Sequence, residues 1–143
     1  MDWSGHLDRL VARQAEPAPV VGTLKLGVLD EWRPGFAAKR WALAPEMLLP
    51  DGTMFGGYLA ALADQILALA AMTVMPADKT FRTINLGLQF LRLGRAHPLR
   101  IEGRVTAQTR TLTTVEADFL READRELIAR ATAQQLLGSL PTP

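Results

Sequence analysis

The stretch Gly56-Gly57-Tyr58-Leu59-Ala60-Ala61-Leu62-Ala63-Asp64-Gln65-Ile66-Leu67-Ala68-Leu69-Ala70-Ala71-Met72-Thr73-Val74 carries a single charged side chain, Asp64. Its wealth of alanine and leucine, and the proline that follows at Pro76, predict a long helix over 56–74. A surface helix shows one apolar stripe, whereas Leu59, Leu62, Ile66, Leu67, Leu69 and Met72 make this one apolar almost all round. Such a helix is buried on most sides. The window Met54 to Met75 has the length of a membrane span. An aspartate at its centre, however, costs about 3 kcal/mol on insertion, and no cluster of Lys or Arg flanks either end. A helix in a protein core is expected, with no membrane partner. One sheet covers only part of such a cylinder, so the rest should meet a second subunit, in a homodimer or a dimer of dimers.

Beyond Pro76 the apolar period shifts from about 3.6 to 2. Thr83 to Leu91 places Ile84, Leu86, Leu88 and Phe90 on one face and Thr83, Asn85, Gly87 and Gln89 on the other. On that parity Thr83 points away from the apolar face. Leu99 to Thr109 alternates in the same way, and Thr113 to Leu120 and Glu126 to Leu137 read as two further strands around the polar turn 121–125. Upstream, Trp3 to Gln14 has Leu7, Leu10 and Val11 at helical spacing, so residues 1–19 read as a short amphipathic helix and a linker. Val20 to Leu29 alternates as a half-buried strand, with Leu24, Leu26 and Val28 on one face. Arg33-Pro34-Gly35 turns the chain, and Phe36 to Leu43 forms the next strand. The order predicts one α+β domain over 1–143, a curved antiparallel sheet wrapped around one long central helix.

With 143 residues, 48% of them hydrophobic, the chain buries a sizeable core without staples. Sixteen basic against fifteen acidic side chains leave a formal +1, which gives no electrostatic case for nucleic acid. The absence of cysteine excludes disulfides, thiol catalysis and thiolate metal sites. With two histidines, His6 and His97, a histidine-rich metal centre has almost nothing to draw on, and no metal or cofactor is expected. Both histidines read as solvated or locally capping. Asp2, Asp8, Arg9 and Arg13 interrupt the N-terminal segment, which does not read as an export signal, so a cytoplasmic location is expected. Chemistry is left to carboxylates, hydroxyls and backbone.

Asp64 is the anomaly of the central helix. Either it lies with Gln65 on a narrow polar strip satisfied by neighbours, or it is a carboxylate held in a dry cleft as base or nucleophile. Upstream stands Asp51-Gly52-Thr53-Met54-Phe55-Gly56-Gly57, a glycine-containing loop running straight into the helix. It reads either as a plain loop-to-helix junction or as a site where free N–H groups at the helix start stabilise negative charge. It lacks the Gly-Lys-Ser/Thr ending of a phosphate loop. Arg100, Glu102 and Arg104 alternate on a solvated face suited to cross-strand ion pairs.

The run Gly52 to Asp64 resembles the signature of hotdog-fold acyl-CoA thioesterases of the phenylacetate-degradation type, in the 4-hydroxybenzoyl-CoA thioesterase-like superfamily. That signature is Asn-x-x-Gly-x-x-His-Gly-Gly, four variable residues, then Leu-Ala-Asp. Thr83 to Arg92 and Leu99 to Val105 are similar to its next two strands, and the likeness extends from Leu49 to Leu137. The resemblance implies a hotdog fold and hydrolysis of an acyl-CoA. It assigns Asp64 as general base or nucleophile and the Gly56 N–H as the group polarising the thioester carbonyl. It assigns Thr83 as a hydroxyl that helps place the water, contributed by a partner subunit. Gly57 and the positions of Phe55 and Leu49 fall to substrate binding. This chain has Phe55 where the signature has His and Leu49 where it has Asn. Phe55 is expected to pack as a hydrophobe at the helix start or to shape an acyl pocket. Two alternatives follow: a non-catalytic acyl-CoA binding protein on the same scaffold, or an enoyl-CoA hydratase, which normally wants a histidine beside the acid.

Overall fold

The structure, a computed structural model, describes residues 1–92, 95 and 97–140; the remaining positions of the expected 1–143 domain lie outside the described residues. Helix α1 spans Trp3–Val11 and α2 Pro19–Thr23, followed by β1 Glu31–Arg33, β2 Phe36–Trp41 and the long helix α3 Gly56–Met72. Strands β3 Lys79–Phe90, β4 Leu99–Gln108, β5 Leu112–Arg121 and β6 Leu127–Ser139 complete a six-stranded antiparallel sheet in the order β1-β2-β4-β5-β6-β3. The sheet curves around α3, and the hotdog architecture expected from the sequence is borne out.

A row of small side chains lets the helix sit close. Ala37, Gly103, Ala117 and Ala131 are register partners across β2, β4, β5 and β6. A Cβ on Gly103 would lie 3.0 Å from the Ile66 carbonyl oxygen and 3.2 Å from the Ala70 Cβ, so no larger residue fits beneath the helix there. Around this trough Leu62, Ile66, Leu67, Ile101, Val115 and Phe119 are fully buried. On the opposite face Arg104 pairs with Glu116 at 2.8 Å and Asp118 at 3.0 Å, and Arg130 reaches Asp118 at 2.8 Å. That is the solvated, cross-paired face the alternation predicts.

Two sequence expectations fail in the N-terminal third. Val20 to Leu29 is not a strand. Pro19, whose fixed φ suits a helix start, opens the short α2 instead. Beyond it Lys25 (φ 52°) and Gly27 (φ 76°) adopt left-handed conformations that break any ladder. The sheet begins later, at Glu31. What replaces the ladder is a set of side-chain donors. The Tyr58 hydroxyl donates to the Lys25 carbonyl at 2.9 Å, Lys39 Nζ to the Leu26 carbonyl at 2.8 Å and Gln65 Nε2 to the Gly27 carbonyl at 2.8 Å. Three successive backbone acceptors, of which that of Leu26 is buried, are thereby satisfied from α3 and β2. The first helix also ends earlier than Gln14, at Val11, where Arg13 (φ 59°) turns the chain and ties itself to Leu29 and Asp30.

Candidate active site

Helix α3 brings Asp64 to the surface on the strip the sheet leaves uncovered. Asp64 is exposed in the single chain, not held in a dry cleft as one reading of the sequence had it. Its partner is Thr83, whose Oγ1 lies 3.1 Å from Asp64 Oδ1 within the same chain. This contact is made within one chain and needs no second subunit. The expected parity is corrected. Thr83 faces Gln135 and Asn85 faces Gln134, so Ile84 is an extra residue, a bulge in β3. Leu86, Leu88 and Phe90 oppose the buried Ala133, Ala131 and Ala129. The bulge brings Thr83 onto this same helix-facing side, which strict alternation denies it. Bulges commonly re-aim side chains in this way.

Gln135, fully buried, stands behind Thr83, with its amide oxygen placed 3.0 Å from Thr83 Oγ1. One hydroxyl proton cannot serve both Asp64 and an amide oxygen, and Gln135 Nε2 has no partner among the described residues. The two ends of an amide are told apart by their partners. Turned over, Gln135 donates to Thr83, and Thr83 donates its one proton to Asp64. Thr113, Gln135 and Thr83 are register neighbours across β5, β6 and β3, a polar row that ends on the carboxylate. The signal was present in the sequence: Gln135 continues the inward alternation of Ala129, Ala131 and Ala133.

The helix start forms a second cluster. Phe55 occupies the N-cap position without a side-chain acceptor, so the first amide hydrogens of α3 have no cap from it. Its ring, exposed, lies over Gly57, where a Cβ would come within 2.9 Å of it. Phe90 lies against Gly56, its Cζ 3.1 Å from where a Cβ would be. Leu49 sits in the preceding turn, its N–H donated to the Thr53 carbonyl at 2.8 Å. Gly56, Gly57, Phe55 and Leu49 thus gather at one end of α3. Eight residues, about 12 Å of helix rise, separate Gly56 from Asp64.

On the other flank of Asp64 opens a cavity of about 540 Å³ between α3 and residues 16–29. His6 is half-buried in its wall rather than capping a helix; the cap of α1 is Asp2, which accepts from the Gly5 N–H at 2.9 Å. Behind the wall, Lys39 is wholly buried and also donates to Gln65 Oε1. Burial pulls its pKa down to about 7, against a smaller upward pull from Asp30. Sequence reasoning missed Lys39, although a lysine between Ala37 and Trp41 on an inward face is a visible irregularity. Among the described residues no cluster of three or more His, Asp or Glu could hold a metal, and no helix is long and apolar enough to cross a membrane.

A carboxylate backed by a hydroxyl, beside an apolar cavity on a helix wrapped by a curved sheet, defines a class. The thioesterase superfamily matches residues 51–128, more than half of the chain, and the chain belongs to that superfamily of thioester hydrolases. Among solved structures it is similar to a phenylacetic acid degradation-related thioesterase of Ralstonia eutropha JMP134, at 27% identity over 91% of this chain and 98% of that one, with TM-score 0.79. It is also similar to a thioesterase family protein from Silicibacter pomeroyi (21% identity, 96% and 99% covered, TM-score 0.82). A third likeness is to a thioesterase-type protein from Streptococcus pneumoniae TIGR4 crystallised with coenzyme A (22% identity, 80% and 87% covered, TM-score 0.71). No curated protein matches the chain.

Proposed function

We propose that the protein hydrolyses an acyl-CoA thioester to the free acid and CoA, with Asp64 as its reactive carboxylate. The observation that carries this is the Thr83 Oγ1–Asp64 Oδ1 contact of 3.1 Å at the mouth of an apolar cavity. Asp64 either takes a proton from the attacking water or attacks the carbonyl carbon itself. In both routes the C–S bond breaks, the thiolate leaves and takes up a proton, and water supplies the new oxygen of the acid. The Thr83 hydroxyl, held by Gln135, fixes the carboxylate that does this work. The relative crystallised with coenzyme A supports a CoA ester as the substrate.

The carbonyl oxygen needs a donor at about 3 Å. Gly56 of the same chain, about 12 Å away along the helix, is out of reach of a carbonyl at Asp64. A second copy completes the site. Strand β3 is the sheet's edge, with its outer ladder free and with Ile84, Leu86 and Phe90 exposed, a surface suited to pairing with its own copy. A two-fold then sets the Gly56 N–H of one chain against the Asp64 of the other.

Asp64→Asn keeps size and loses basicity, so turnover measured by free-thiol release should fall by about 10²–10⁴. Gly56→Pro removes the amide hydrogen at a position that tolerates proline, and should lose about 10² or more. Mixing the two inactive variants should restore about a quarter of native turnover, since half the dimers become mixed and each then carries one intact site of two. No recovery on mixing, with subunits shown to exchange, refutes the shared site. Native protein that binds acyl-CoA with no turnover above Asp64→Asn refutes the hydrolase and makes Phe55 and Leu49 the marks of a binding protein.

A further inference from the structure

The geometry points to the cavity between α3 and residues 16–29 as the acyl site, and to an unbranched aliphatic chain of up to about ten carbons as its ligand. This rests on Asp64 being the reactive carboxylate. The cavity touches α3 from Ala61 to Met72, so it opens within one turn of Asp64 and extends mainly away from the helix start where the Gly56 cluster sits. A thioester carbonyl at Asp64 therefore has its CoA side toward the open helix start and its acyl side in the cavity. Its volume, about 540 Å³, falls among sites that take small ligands.

The chemistry of the lining selects the class. Leu10, Val21, Leu24, Leu26, Val28 and Leu69 supply aliphatic surface; among the described lining side chains the half-buried His6 imidazole is the one aromatic ring, and none carries a hydroxyl. An acyl group bearing a phenolic or alcoholic hydroxyl finds no matching hydroxyl there. Of the polar side chains that reach the cavity, Gln65 is already committed to Lys39 and the Gly27 carbonyl, Asp64 is held by Thr83 and Glu16 is exposed, which leaves His6 in the wall. The floor on α3 is kept low by Ala61 and Ala68.

The far wall is built. Residues 25–27 have no sheet partner, yet Tyr58, Lys39 and Gln65 hold their three carbonyls in place. The cavity is thus formed before any ligand arrives, which spares the cost of ordering a wall on binding. From Asp64 to Met72 is about 12 Å of helix rise. Carbon–carbon bonds of about 1.5 Å advance rather less than that along an extended chain, so eight to ten carbons, on the order of the cavity's length, fill it.

The test uses S-alkyl-CoA thioethers from two to fourteen carbons, which cannot be hydrolysed, with binding read by calorimetry and turnover of the matching acyl-CoAs by thiol release. Each added methylene should tighten binding by about fourfold, with the gain ending near ten carbons. Ala68→Phe, on the floor, and Val21→Phe, on the wall, should each move that end point to shorter chains and cut the decyl-to-butyl affinity ratio by more than tenfold; either variant alone suffices if the other does not fold. A flat series, an end point that a folded variant leaves in place, or tighter binding of S-phenethyl-CoA than of S-octyl-CoA overturns the assignment. The two readings fail separately. A chain-length series without turnover upholds the cavity and removes the hydrolase, whereas turnover without a chain-length series does the reverse.

Discussion

Replacing Lys39 by methionine should reshape the pH dependence of stability in a way that burial of this ammonium dictates. Its folded pKa is pulled to about 7, against about 10.4 in an unfolded chain. Between those values the unfolded state binds the extra proton, so this residue makes stability climb as pH rises from 7 to 10.4, by about 1.4 kcal/mol per unit at most. Below pH 7 the full penalty is present, on the order of 5 kcal/mol for a gap of some three and a half units. The methionine variant removes that penalty but orphans two acceptors, the Leu26 carbonyl and Gln65 Oε1, at about 1–3 kcal/mol each. At pH 6 the two effects nearly cancel. At pH 10 only the loss remains, and the variant should be less stable by about 2–6 kcal/mol. Urea unfolding followed by tryptophan fluorescence, at fixed protein concentration from pH 6 to 10, measures the difference between native and variant protein, in which every other titrating group cancels. Native and variant profiles that run parallel across this range refute the reasoning.

Gln135→Leu should lower kcat about tenfold by freeing the Thr83 hydroxyl to rotate away from Asp64, with little effect on KM. In a Thr83→Val background the same change should cost nothing more, and a double-mutant cycle showing simple additivity would break the proposed chain of hydrogen bonds. At the sheet edge, Ile84→Lys with Leu86→Lys should convert the proposed dimer into a monomer in sedimentation velocity and abolish turnover with it; a native monomer at micromolar concentration refutes the pairing.

The sequence was most readable where one periodicity runs unbroken. Helix α3 and strands β4 to β6 lie within a few residues of their predicted spans, because Leu99–Arg104 and Leu112–Phe119 keep a strict inward alternation against one buried face. Residues 20–29 mislead for the opposite reason. Their apolar residues alternate by eye, but Pro19 and Gly27 fix local conformations that no ladder accommodates. The site divides in the same way. Asp64 and Gly56 are legible because motif and helix coincide. The bulge at Ile84 is not, because register is set by two strands together and leaves no mark in either alone. Lys39 and Gln135 were visible only as polar residues on apolar faces, and their meaning depends on partners distant in the chain.

The row Ala37, Gly103, Ala117 and Ala131 leaves α3 no room to settle lower and no side chain to remodel beneath it. A methyl added at Gly103 would press on the backbone of α3 at Ile66, on the same helix that carries Asp64 and Gly56. Residues 16–29 lie outside the sheet, and within them only the carbonyls of 25–27 are held by side chains of α3 and β2. On the proposed reading of the cavity, the protein is thereby split into a fixed datum under α3 and a rim at residues 16–29, and libraries aimed at altered selectivity belong in the rim.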